Sequence, residues 1–282
     1  MKIKPVIYRT SFILLLPVFL FSCTPTGFLI SIPHLPATYF ENKINRLSKE
    51  KDSFEKNSSF IKSSIEYVYG IIFENNDRLL KKDYKKARNN YKKAYSILID
   101  VEERCLNNLV MSNQDFYTWY DGNEKIEFEK DNVFELYYLS AAIGGLIISS
   151  KSDPAELINL KKIEKLLGMA IKINPSWGNG SLQSAMMGYT ASRMDLSAKS
   201  KRDTINYYFN KSKYYSEHQD ISLFVKYAEI VHVSDQNRAK YIETLNFVIK
   251  FKLDRKSTFA LTNIIAKKRA KWLKKNLEDK FL

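Results

Sequence analysis

The stretch Asp153-Pro-Ala-Glu-Leu-Ile-Asn-Leu-Lys-Lys-Ile-Glu-Lys-Leu-Leu-Gly-Met-Ala-Ile-Lys-Ile-Asn-Pro175 decides the fold class. Asp153 offers a side-chain acceptor to the free N–H groups of a helix start. Pro154 suits the first helical position, where its missing N–H is not needed. Leu157, Leu160, Ile163, Leu167 and Ala170 then recur at three- and four-residue spacing, which predicts one helix with one apolar face. Asn174-Pro175 stops it. The same pattern continues outward. Asn132 with Glu135 three positions on predicts a capping box before Phe134, Leu136, Tyr137 and Leu139. Ser234 or Asp235 opens a helix running to about Phe251, and Ser257 caps a last one running to about Lys280. Past residue 38 Gly and Pro are scarce and no convincing run alternates with period two, so the chain reads as all-α with about ten helices.

Within that pattern lies a weak repeat. Ala87-x3-Tyr91-x2-Ala94 has the small–aromatic–small spacing of the second helix of a tetratricopeptide unit. Leu167-x2-Ala170-x4-Pro175 echoes its later half, and Ile205-x3-Phe209-x2-Ser212 gives a fainter copy. Small residues at those positions let paired helices cross closely. The first-helix signature is absent, so the expectation is an α-solenoid of degenerate tetratricopeptide-like repeats; coincidental helical packing is the competing account. The run Leu136–Ile148 is the most apolar beyond the N-terminus, but too short for a span, and Gly144-Gly145 predicts a central buried helix approached closely by a neighbour.

The N-terminus carries a different message. Lys2, Lys4 and Arg9 precede the apolar run Phe12–Phe21, the grammar of an export signal. Leu20-Phe21-Ser22-Cys23 is similar to a bacterial lipobox, in which Cys23 is acylated and becomes the new N-terminus; a plain signal with an incidental cysteine is the alternative. Residues 1–22 are therefore read as signal peptide, 23–38 as a proline-rich tether and 39–282 as one helical domain. Thr24, with no aspartate after Cys23, agrees with sorting to the outer membrane. Loss of residues 1–22 lowers the formal charge of +14 by three, since no acid leaves with the three bases. In an exported chain that surplus points away from nucleic acid, toward a solvated basic surface, anionic lipid or an acidic partner. Only one other cysteine exists, Cys105, so no disulfide framework forms; Cys105 reads as a small buried filler.

Chemistry is sparse. The histidines are His34, His218 and His232, with no carboxylate or cysteine at ligand spacing beside the last two, so no metal is expected. No nucleophile elbow, zinc-protease, phosphate-loop or dinucleotide motif occurs, and neither an enzyme activity nor a cofactor is expected. What stands out is 18 Tyr, 17 Phe and 3 Trp, enough to line a groove or pore as well as to pack between helices. On the last helix Phe259, Ala266, Ala270, Leu273 and Leu277 share a narrow arc. Lys267, Lys268, Lys271, Lys274 and Lys275 face away from it. Arg269 falls at the boundary, placed to be partly buried and paired with a carboxylate.

Several segments together resemble the T component associated with TRAP (tripartite ATP-independent periplasmic) transporters. They are Leu139–Ser150, Asp153–Glu156, Leu167–Pro175, Gly180–Tyr189 and Leu261–Leu273, spread over about residues 60–275. Lys267 stands where the family often has glutamine, and Phe116–Tyr120 is less clearly alignable. The resemblance implies a periplasmic lipoprotein without enzyme activity, trimeric, with a pore through each subunit. It also implies a TRAP solute-binding protein as partner and a hydrophobic small molecule as cargo. Trp177, Tyr189 and Trp272 lie in the family-like segments and are the candidates for lining such a pore, with packing in the core as the other role open to each. A structural repeat lipoprotein, scaffolding envelope or pilus assembly, is the alternative.

Overall fold

The computed structural model describes residues 35–49, 53–122 and 125–281, and among these every regular element is helical. Cys23, the signal and most of the predicted tether lie outside the described residues. Helix α1 (Leu35–Lys49) takes in the end of the segment read as tether. Helix α2 (Phe54–Tyr67) runs without a break through a π-helical turn, π1 (Val68–Phe73), into α3 (Glu74–Leu79). Helix α4 (Tyr84–Ser112) has 29 residues and so is about 43 Å long. It is followed by α5 (Phe116–Asp121), α6 (Asn132–Ser149), α7 (Pro154–Leu157), α8 (Leu160–Ile173), α9 (Ser181–Ser192) and α10 (Ala198–Tyr215). Helix α11 (Ser222–Tyr227) passes through a second π turn, π2 (Ala228–His232), before α12 (Arg238–Lys250) and α13 (Ala260–Lys275).

Local chemistry sets most boundaries. Asp83 caps α4 by accepting from the Lys86 N–H at 3.0 Å, and Asp153 caps α7 through the Ala155 N–H at 2.8 Å. Four readings shift. The single helix expected from Asp153 to Asn174 breaks at Ile158–Asn159. Core contacts there come from Ile163, Leu166, Leu167 and Ala170, whereas Ile158 is 77% exposed. The capping box at Asn132 does not form. Its side chain accepts from the Glu129 N–H at 3.0 Å and donates to Ser112 at 3.0 Å, tying the start of α6 to the end of α4. Helix α12 begins later than Ser234–Asp235, because Asp235 is engaged by the Arg202 guanidinium; the cap passes to Asn237, which accepts from the Lys240 N–H at 3.1 Å. Ser257 accepts from the Phe259 N–H at 3.2 Å and so turns the chain before α13 rather than capping it.

Packing centres on α6, which lies between α4 and α8. It has the length and apolarity of a membrane span, but most of it is buried in protein. A Cβ on Gly145 would come within 2.7 Å of Leu98 Cδ1, so the glycine is what lets α4 approach so closely. The main core runs from α1 to α9, and Cys105 is wholly buried in it. A second core joins α11, α12 and α13. Met187, Ile205, Leu223 and Val231 bridge the two across α9, α10 and α11. At the turn into α9, Gly180 (φ 96°) lies so near Ser212 that a Cβ would sit 2.6 Å from the Ser212 carbonyl oxygen, and the Ser212 hydroxyl donates to the Gly180 carbonyl at 2.9 Å. The succession is closed from the far end: α13 returns to π1 and α3, with Ile265 Cδ1 about 3.1 Å from where a Gly70 Cβ would be.

Candidate functional site

Two helices present a single partly accessible stripe each. On α6 it is Phe134, Tyr137, Ala141, Gly144 and Ile148, at spacings of three and four, while the rest of the helix is buried. A helix this apolar leaves an apolar stripe wherever packing fails to cover it. On α9 the stripe is Ser181, Ser184, Ala185, Gly188 and Ala191, all small. Tyr69, from π1, lies over the α6 stripe: its hydroxyl donates to the Ala141 carbonyl at 2.8 Å and sits close to Gly144 and Gly145. Tyr69 is 37% exposed, yet burial pushes its hydroxyl well above the usual tyrosine value. The ring edge meets water while the hydroxyl is held against the α6 backbone, and it is the hydroxyl that is desolvated. Tyr137 behaves alike: it is half-buried and pushed up to about 12 by desolvation, with Ser181 in hydrogen-bonding reach.

Lys226 of α11 packs onto the α9 stripe. Its ammonium donates to the Ser184 carbonyl and hydroxyl oxygens, each at 3.1 Å, and lies 3.8 Å from where a Gly188 Cβ would be. Burial lowers its pKa, with the Asp220 charge acting in the other direction. One turn further along α9, Ala191 joins Leu196, Ile205, Ile230 and Val231 in lining a cavity of about 670 Å³, rimmed by Lys201 and the Arg202–Asp235 pair.

The circuit is sealed at Arg269. Its guanidinium donates twice to Glu229 of π2, at 2.7 and 3.2 Å. It lies 2.6 Å from an Asp77 carboxylate oxygen and 3.7 Å from one of Glu74, both on α3. Its side chain is only 12% exposed. Burial raises the Glu74 pKa, a tendency that the Arg269 and Arg78 charges oppose. One arginine thus joins the segments carrying both π turns, and π turns often mark functional sites.

The three aromatic candidates occupy three different neighbourhoods. Trp177 is half-buried beside the α6 stripe, its ring 5.0 Å from that of Tyr137 and 6.5 Å from that of Phe134. Tyr189 is buried in the core and its hydroxyl donates to Glu164 at 2.7 Å. Trp272 is half-buried at the seal, with the Arg269 and Arg78 guanidiniums 4.9 and 5.9 Å from its ring centre. The Phe116–Tyr120 cluster is core, apart from Tyr117. Tyr69 and Lys226 were missed by sequence reasoning, whereas Tyr137, with Tyr138, belongs to the aromatic clusters read as able to line a groove or pore. The i, i+3, i+7 run of Ser181, Ser184 and Gly188 was the one available hint. Among the described residues no group of three or more His, Cys, Asp and Glu side chains could hold a metal.

A family model, the TRAP transporter T-component, matches residues 54–281. The chain belongs to that family. The T-component is an accessory part of a TRAP transport system, and the match takes in every element from α2 to α13. No curated protein matches the chain.

Proposed function

We propose that this T-component is a lipid-anchored periplasmic protein, held through Cys23 to the outer membrane, that binds a TRAP solute-binding protein and passes a hydrophobic ligand along its inner wall. The observation that carries the reading is the α6 stripe, where the only accessible face of the most buried helix is apolar and aromatic. Water gains little there, and an apolar solute gains the transfer free energy of its own surface, about 25 cal/mol per Å² covered. Tyrosine hydroxyls already engaged with the backbone, as at Tyr69, leave ring faces toward the solute. The chemistry required is shielding, not proton transfer. The working unit is a homotrimer, so that three such walls serve one binding partner.

The test is to isolate the full chain from envelopes and extract it with organic solvent, alongside an Ala141→Trp variant that fills the stripe. The wild type is expected to release apolar compound and Ala141→Trp severalfold less, with capture of the solute-binding protein unchanged in both. A ligand-free wild type that holds envelope or pilus proteins instead would assign the chain to scaffolding.

A further inference from the structure

The charges of α4 are segregated along its length. Between Leu80 and Lys93 the chain carries seven basic residues and one acid, Asp83, which caps the helix, whereas Asp100, Glu102 and Glu103 lie further on. Lys85 and Lys86 occupy the first turn, which holds no acidic residue, so two cations sit against the positive end of the helix dipole. Lys93 is paired with Glu41 and Lys81 with Asp279. Lys82, Lys85, Lys86, Arg88 and Lys92 are exposed, and among the described residues none of them has a carboxylate within ion-pair reach. Lys151, from the turn after α6, joins them: it donates to the Tyr84 hydroxyl at 2.8 Å and stands 4.5 Å from that ring's centre. Tyr84 and Leu80 are themselves exposed. Like charges gathered at the wrong end of a helix oppose folding locally, and nothing within the described chain offsets them.

The N-terminal chain arrives at the same end. Asn57, Tyr67 and Asn76, in that order, meet Arg104, Lys93 and Asn90 of α4, so α2 and α3 run antiparallel to it. Glu41 of α1 accepts from Lys93 at 2.6 Å and from Tyr67, while Lys49 at the end of α1 is five positions from Phe54 at the start of α2. Helix α1 is therefore parallel to α4. Leu35, six residues before Glu41, lies about 9 Å nearer the basic end. Twelve residues separate it from Cys23, a span of at most about 40 Å. We infer that the start of α4, together with Lys151, is a docking face for a bilayer surface rich in anionic phospholipid. The tether argument rests on the acylation of Cys23 proposed above; the charge argument does not. Lysine stems lie along the surface with their ammoniums on lipid phosphates, and Tyr84 and Leu80 enter the interfacial layer. Each basic residue so placed strengthens the contact about fivefold.

The experiment places the mature protein, isolated from envelopes, with vesicles of phosphatidylcholine alone or with about one-third phosphatidylglycerol, and follows acetylation of single lysines by mass spectrometry. Lys82, Lys85, Lys86 and Lys92 are expected to react at least about fivefold more slowly on the anionic vesicles, and equally on both once salt reaches about 1 M. Lys199 and Lys211, exposed on α10, should not change. The Lys85→Gln/Arg88→Gln/Lys92→Gln variant alters exposed side chains alone and should lose most of the protection at Lys82 and Lys86, while Lys199→Gln/Lys211→Gln keeps it. Equal reactivity of the four lysines on both kinds of vesicle overturns the docking face, whether or not Cys23 carries an acyl group. Lipid-dependent protection in a protein whose mass shows no acyl group keeps the face and overturns the anchor. Protection of these lysines on neutral vesicles by added TRAP solute-binding protein, with none from anionic lipid, assigns the cations to an acidic partner and overturns the lipid surface.

Discussion

The molecule has two junctions of opposite character. Where α9, α10 and α11 follow one another in sequence, Met187, Ile205, Leu223 and Val231 make an apolar seam with almost no exposed surface. Where α13 comes back to π1 and α3, the seam is ionic: Arg269 among Glu74, Asp77 and Glu229, with Trp272 beneath. The first joins near neighbours in sequence, the second joins the last long helix to residues of α3, far back along the chain. Apolar contact is non-directional and can slide, whereas a guanidinium hydrogen-bonded twice to one carboxylate and ion-paired to others accepts one register. Opening also differs. Charges leaving the ionic seam are taken up by water, while an opened apolar seam exposes greasy surface.

The largest effect is expected at the apolar seam. Leu223 is fully buried, and Leu223→Ala should lower unfolding stability by about 3 kcal/mol, read as a fall in denaturant midpoint with unchanged slope. Arg269→Met should cost about 2 kcal/mol, since it leaves Glu229 and Glu74 without their shared cation in a partly exposed network. Here the location matters more than the size. Amide exchange should accelerate in α3 and α13 and stay unchanged in α4 and α6; uniform acceleration would mean that the seam is no separate unit. The smallest effects sharpen the contrast between tight and open helix surfaces. Gly145→Ala, which meets Leu98 at 2.7 Å, should lose about 1 kcal/mol or more. Gly168→Ala, with nothing within 4 Å of its new methyl, should gain up to about 1 kcal/mol in thermal denaturation.

Helix existence was legible because it follows from local rules. The Asp153-Pro154 start, the stop at Asn174-Pro175 and the depth of Leu136–Ile148 each depend on neighbours within one or two turns. Boundaries failed where a distant partner intervened: Asp235 was taken by Arg202, 33 residues away, and Asn132 by Ser112. The wall was not legible for the same reason. Nothing near Tyr69 in sequence says that it crosses to Ala141, 72 residues on, or that Lys226 reaches back to Ser184.

Residue order alone determined that this chain is helical, rich in aromatics, without a metal motif or nucleophile, and similar in its ordered segments to a transport accessory family. Helical periodicity is a property of sequential neighbours, so one dimension suffices to read it. Only the tertiary structure decided that the helices close on themselves at Arg269. It also decided that α6 keeps one bare stripe, and that Lys226 of α11 reaches Ser184 on α9. Exposure and desolvation depend on what packs from elsewhere, and no spacing rule within a helix carries that information.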